Sequence, residues 1–215
     1  MNSTNRGPEY MIAADVPSGY YGMPLSNIGN VMEAAEPVIA AAVPDDLEGS
    51  VPNVIGILKF LLEMLATKNA VYCGIGRHVS SGGEPITSWL TVSSIDYGRP
   101  QNPRLVIRDL VEAKLLEAVP WVVETVDIAG RPALFAEGIR TYPAPNLADA
   151  QGPGDSVPAF QIEGLVPSDD GTTVAVIELS TTSVSHGPEY RPMVFTMAAS
   201  LEFADATSAT WSLDL

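Results

Sequence analysis

The stretch AFQIEGLVPSDDGTTVAVIELST, residues 159–181, decides the fold. Its middle, Ser168–Gly171, sets Ser, Asp and Gly between two apolar runs, which is the composition of a tight turn in a β-hairpin. On the second run Ala175, Ile177 and Leu179 alternate with Val174, Val176 and Glu178. Side chains two apart on a strand share a face, so both faces carry apolar groups. The following stretch EYRPMVFTMAASLEF, 189–203, reads as a helix. Its Tyr190, Val194, Met197 and Leu201 recur at i, i+4, i+7 and i+11 and form one narrow stripe that packs back onto the hairpin.

Upstream, the same alternation of strands and helices continues. VYCGIGRHV, 71–79, and ITSWLTVSS, 86–94, read as strands joined by the turn-rich SSGGEP. NPRLVIRDLVEAKLLEA, 102–118, reads as a helix with Asn102 as N-cap and Pro103 in its first turn. Arg108 and Glu112, four apart, can pair on its wet side. WVVETVDI, 121–128, and ALFAEGIRTY, 133–142, form a strand pair around Gly130, and 143–158 reads as a long surface loop. Residues 1–25 are a lead-in with a short strand near Tyr10–Ala13. A helical insertion spans 26–67, with Ser26 as N-cap and Pro37 bending or ending its first helix. Residues 70–203 form the α/β core, and 204–215 form a flexible tail. All belong to a single domain of α+β class, an antiparallel sheet sandwiched by helices.

The chain has 215 residues, 46% of them hydrophobic. By surface scaling about 70% of the extended chain's surface can be buried, enough for a core without metal or disulfide. There are 11 Lys+Arg against 26 Asp+Glu, a net charge of −15. That charge repels phosphate backbones and anionic lipid, so neither nucleic acid nor a membrane surface is an expected partner. The single cysteine, Cys73, cannot close an internal disulfide, and MNSTNRGPEY lacks the apolar core of a signal peptide. Both point to a cytoplasmic protein. VPNVIGILKFLLEMLA, 51–66, is the most apolar run, but it is short for a bilayer span and carries Lys59 and Glu63. A helix over 52–67 that is apolar around most of its circumference must be covered on more than one side, by the first helix or by a partner subunit. It is the place where a homo-oligomer would form.

The element order, with VPSGYYGMPL at 16–25 and with VAVIELSTTS and PMVFTMAASLEF at 174–183 and 192–203, resembles the Mog1/PsbP-like fold group. The chain is similar to a bacterial protein of this type over residues 10–25 and 70–203. The resemblance implies an antiparallel sheet between helices. Members of that group bind a small GTPase, support photosystem assembly or are secreted lipoproteins, and none of these roles transfers to particular residues here.

No catalytic, cofactor-binding or metal residue is assigned. Cys73 and His78 lie five apart on one strand and so on opposite faces, which rules out a shared metal or a thiol–imidazole couple between them. Gly74-x-Gly76 lacks the third glycine and the following helix of a dinucleotide loop. No G-x-S-x-G elbow is present. Glu137 and Glu178 interrupt apolar strands as solvent-facing residues that Arg140 and Arg77 can answer. The connection SHGPEYR, 185–191, gathers His186, Glu189 and Arg191. With Arg77, His78, Trp89 and Arg140 these are the candidate partner- or ligand-contact residues. The expected function is a non-enzymatic protein-interaction or accessory module. The alternatives are a ligand-binding protein or enzyme with a pocket between sheet and helices, and an immunity or chaperone-like factor for a basic partner.

Overall fold

The two arms of the 159–181 stretch lie at the heart of a seven-stranded antiparallel sheet. The structure is a computed structural model that describes residues 10–44, 49–143 and 156–205. Its elements are β1 (Tyr10–Ala13), β2 (Tyr20–Gly22), α1 (Ile28–Ala40), α2 (Val51–Thr67), β3 (Ala70–Val79), β4 (Pro85–Asp96), α3 (Pro103–Leu116), β5 (Val122–Ile128), β6 (Arg131–Pro143), β7 (Ser156–Pro167), β8 (Thr173–Thr181), a 3-10 turn (Val184–Tyr190), α4 (Arg191–Ala199) and β9 (Glu202–Asp205). The strand order is β2-β3-β4-β8-β7-β6-β5, with β1 and β9 forming a separate ribbon.

The β7–β8 turn is built as its residues predict. Asp170 Oδ1 accepts from the Ser168 hydroxyl at 2.7 Å and from the Thr172 N–H at 3.1 Å. Gly171 takes φ 69°, a conformation that glycine alone adopts without strain. A side chain there would also strike the Gln101 carbonyl.

Helices roof both sides of the sheet. On one face Ala175, Ile177 and Leu179 of β8 pack with Tyr190, Val194, Met197 and Leu201, all nearly inaccessible to solvent. On the other, Val174 and Val176 pack with Val106 and Ile107 of α3. Cys73 of β3 and Trp89 of β4 meet Ile28, Met32, Ile55 and Leu62 of α1 and α2. Trp89 and Leu90 point to opposite sides, so α1–α2 and α3 share the face opposite α4.

Several boundaries differ from expectation. Residues 189–203 are not one helix. Tyr190 closes the 3-10 turn, and α4 stops at Ala199, where Ser200 N–H turns back to the Thr196 and Met197 carbonyls. Leu201 stays buried because Arg131 Nη1 holds its carbonyl at 2.8 Å and the chain continues into β9, paired with β1. The expected tail is therefore strand as far as Asp205, and 206–215 lie outside the described residues, as does most of the expected 143–158 loop. Asn27, at φ 51°, precedes α1 in place of the expected Ser26. Pro37 sits within α1, whose ladder resumes with Ala41 N–H to the Pro37 carbonyl at 3.1 Å. Arg108 pairs with Asp109 rather than Glu112.

Ile177→Ala empties space at the centre of the sheet and should cost about 2–5 kcal/mol. Val38→Ala, at a site 69% exposed, should stay within about 0.5 kcal/mol. Urea unfolding of the two variants checks the difference.

Candidate functional site

The connection SHGPEYR clasps the β3–β4 turn. His186 Nδ1 meets Glu189 at 2.8 Å, and its Nε2 meets Glu84 at 2.9 Å. The second bond spans 102 residues of sequence. Glu189 also accepts from Ser81, N–H at 2.9 Å and hydroxyl at 3.0 Å. The hydrogen bonds to Glu189 and then Glu84 raise the His186 pKa, and those from His186 and Ser81 lower that of Glu189. Gly187 sits against the Phe160 ring with no room for a Cβ.

Beneath this clasp lies a partly buried aromatic cluster. His78 stands 4.9 Å from the Tyr20 ring and 5.7 Å, edge-on, from the Tyr190 ring. Tyr20 Oη bonds Ser88 Oγ at 2.7 Å. The ring of His78 folds over Gly76, where a Cβ would collide with it. Burial lowers the His78 pKa by disfavouring the charged imidazolium. Its Nε2 is a buried atom without a hydrogen-bond partner among the described residues, and the Tyr190 hydroxyl lies close to Ser88, which Tyr20 engages.

Arg191 turns away from the clasp and makes a two-pronged ion pair with Glu137 of β6. Glu137 is thus a half-buried ion-pair partner rather than a fully solvent-facing residue, with 17% of its side chain exposed. The pair edges a groove of about 480 Å³ between α4 and the outer strands. Val122, Phe135, Ile162 and Phe195 line it, and Glu124 lies at its rim.

The opposite face carries a polar strip between α2 and α3. Successive strands place Thr91, Glu178, Glu163 and Ala136 side by side, and next to them Trp89, Ser180, Gln161 and Gly138. Glu163, 6% exposed, accepts from Lys114 Nζ at 2.7 Å and Gln161 Nε2 at 3.0 Å. Lys114 also pairs with Glu117 at 2.9 Å and lies 4.6 Å above the Trp121 ring. Trp121 Nε1 donates to Glu117 at 2.9 Å, and Trp121 packs over Gly138 where a side chain would crowd it. Arg140 joins from the side, 3.8 Å from Glu117 and 5.6 Å from Trp121. Burial opposes charge on Lys114, but Glu163 and Glu117 outweigh it and raise its pKa. For Glu178, burial first and the facing Glu163 second push the pKa up.

The seven contact residues therefore do not form one site. His186 and Glu189 bond each other, with His78 beneath them through Tyr190. Arg191 joins the groove beside α4. Arg77 is exposed on the opposite face near Thr87, Trp89 is half-buried under α1–α2, and Arg140 serves the polar strip. Neither Arg77 nor Arg140 pairs with Glu137, which Arg191 takes. Cys73, pushed up to about 12 by burial, lies across the sheet from His78 as parity requires.

One further surface stands out. The outward side of α2 leaves Val54, Ile57, Phe60, Leu61 and Met64 between 38% and 59% exposed. No described helix is long and apolar enough to cross a membrane. No family model matches the chain, and no curated protein matches it significantly.

Glu178 tests the polar strip. Its folded pKa lies above the unfolded value of about 4.3, so ionising it at neutral pH costs stability. That cost fades as pH falls through the folded pKa toward the unfolded one. Glu178→Gln should accordingly raise Tm at pH 7, with the gain gone near pH 4. Calorimetry at the two pH values checks it, and an equal gain at both would contradict burial of the charge.

Proposed function

We propose that this chain is a non-enzymatic protein-interaction module and that the outward side of α2 is its docking surface. The observation that carries the reading is the row Val54, Ile57, Phe60, Leu61 and Met64, left open to solvent on a helix whose other side is core. Single exposed apolar residues are ordinary, but a contiguous row of five on one helix marks a surface that gains by being covered. Among the described residues, α1 and the sheet cover one side of α2 and not the other, so this row is the part of the sequence expectation that they leave unmet.

The sheet with helices on both faces is compatible with the Mog1/PsbP-like arrangement, and we read the chain as a relative of that group with α1–α2 as its insertion. The free, buried Cys73, with no second cysteine in the sequence, is in keeping with a cytoplasmic setting. The net charge of −15 supports an accessory role toward a basic partner as a variant of the same reading.

A ligand-binding role has one observation in its favour, the groove edged by Arg191. Its volume of about 480 Å³ falls within the usual span for small-molecule sites. The gathering of Arg77, His78, Arg140 and His186 that this role would have drawn on does not occur.

Leu61→Asp puts a charge on the exposed row where it meets water, so circular dichroism and Tm should stay close to wild type. Binding of any protein partner through α2 should weaken at least tenfold. Partner capture that is unchanged in both Leu61→Asp and Phe60→Ser would overturn α2 as the docking surface.

A further inference from the structure

The two edges of the seven-stranded sheet are built differently. At one end β2 is three residues long, which gives another strand little to pair with. At the other end β5 runs seven residues, Val122 to Ile128, with no proline and no break in register. Its hairpin to β6 turns on Ala129 at φ 54° and Gly130 at φ 89°, the two positive values that a type I′ turn requires. Such a turn makes Ile128 and Arg131 a hydrogen-bonded pair, and the alternation along the ladder then points the backbone of Val122, Glu124 and Val126 at β6. Val123, Thr125 and Asp127 therefore turn their N–H and C=O groups away from the sheet, where no described strand lies.

Both faces beside this edge are open. Helix α4 packs on β7 and β8, and α3 reaches across β6 and β7, so each leaves a ledge next to β5. On the α4 side lies the groove of about 480 Å³, with Val122, Glu124 and Val126 along it and Val122 66% exposed. On the α3 side lies a second groove of about 510 Å³, bordered by Arg104, Ile107, Val111, Thr125 and Asp127. Side chains of a strand laid along β5 would alternate between the two. A free backbone edge with a side-chain groove on each face is the arrangement that takes up extended peptides by strand addition.

We propose that β5 is a strand-addition site for an extended segment of another protein, with apolar residues beside Val122 and Val126 and a lysine or arginine beside Glu124. This surface is separate from α2 and stands or falls without it.

Charge decides the occupant. On the α3 side Arg104 holds Asp127 at 2.7 Å and Arg108 pairs with Asp109, so that groove is balanced and suits small polar side chains. On the α4 side Arg191 is taken by Glu137, while Glu124 feels Arg191 at a distance and makes no ion pair among the described residues. That leaves one carboxylate in surplus at the groove, on a chain of −15. A cation directly across the strand answers it. The same acids guard the edge against an acidic strand. A second copy would bring its own Glu124 and Asp127 to an edge that already has a carboxylate too many. Of the segments outside the described residues, 45–48, 144–155 and 206–215 contain no lysine or arginine.

The probe is a capped heptapeptide of sequence VTFTKTV, which sets its lysine beside Glu124 when it runs antiparallel to β5. Amide hydrogen exchange of the full chain, read by NMR, should be faster at Val123, Thr125 and Asp127 than at Glu124 and Val126. The peptide at about 1 mM should slow the first set. The peptide VTFTETV should bind about three- to fivefold more weakly. Thr125→Pro removes one outward N–H and leaves the ladder to β6 whole, so the fold should survive and affinity for VTFTKTV should fall about tenfold or more. Glu124→Lys leaves the backbone untouched and should reverse the preference between the two peptides. Absence of any slowing by VTFTKTV overturns the proposal. So does unchanged affinity in Thr125→Pro, or an unchanged preference in Glu124→Lys. Slow exchange at Val123, Thr125 and Asp127 in the free chain means that the edge is already covered. If that protection grows with protein concentration the cover is a second copy, and if it does not the cover is another segment of this chain. Either result overturns a foreign strand as the occupant.

Discussion

Everything in this structure is arranged around the two-sided burial of β8. Val174, Ala175, Ile177 and Leu179 are each inaccessible to solvent, Val174 on one side of the sheet and the other three on the opposite side. A one-residue slip would exchange the sets and set Glu178 among Val194 and Met197. Register is therefore fixed from both faces at once. Once β8 is fixed, β4 and β7 must lie beside it, and each face needs a roof. Helix α4 roofs one. On the other, α1–α2 covers the β3–β4 side and α3 the β5–β7 side.

Two separate roofs leave a strip between them, and the strip is polar. Lys114 and Arg140 face Glu117, Glu163 and Glu178 there, so carboxylates outnumber cations by one. The structure resolves this unequally. Glu163 receives the ammonium of Lys114 and the amide of Gln161. Glu178 has no cation within ion-pair distance among the described residues, and burial and Glu163 push it toward its protonated form. Breaking the Lys114–Glu163 pair would leave a buried charge unanswered, which is costlier than the pair is stabilising. The strip reads as a structural seam between two roofs, held by mutual compensation.

Much of this was legible in the sequence because it follows from period. The hairpin, the burial of Tyr190, Val194, Met197 and Leu201, the Asn102 cap and the separation of Cys73 from His78 all come from local spacing. The facing of Glu163 and Glu178 was also within reach, since a hairpin turned at Ser168–Gly171 places them opposite each other. What was not legible needed distant partners. The His186–Glu84 and Arg191–Glu137 contacts span 102 and 54 residues, and no spacing rule reaches that far. The end of α4 and the start of β9 escaped for the same reason, since β9 exists only because β1 pairs with it. Asn27, Arg108 and Pro37 were near-neighbour choices that local sequence leaves balanced.

The same logic separates surface from core on α2. A helix that served only its own domain would need one apolar seam, as α3 does, where Val106 and Ile107 are buried while Arg104, Arg108 and Glu112 stay wet. Helix α2 has a second apolar side, and none of the described residues covers it. The tyrosine–histidine cluster under the 3-10 turn has the opposite character: Tyr20 bonds Ser88, and the Nε2 of His78 is left without a partner among the described residues beneath the clasp. A polar atom that solvent cannot reach shapes the fold, whereas the apolar row on α2 lies open at the surface.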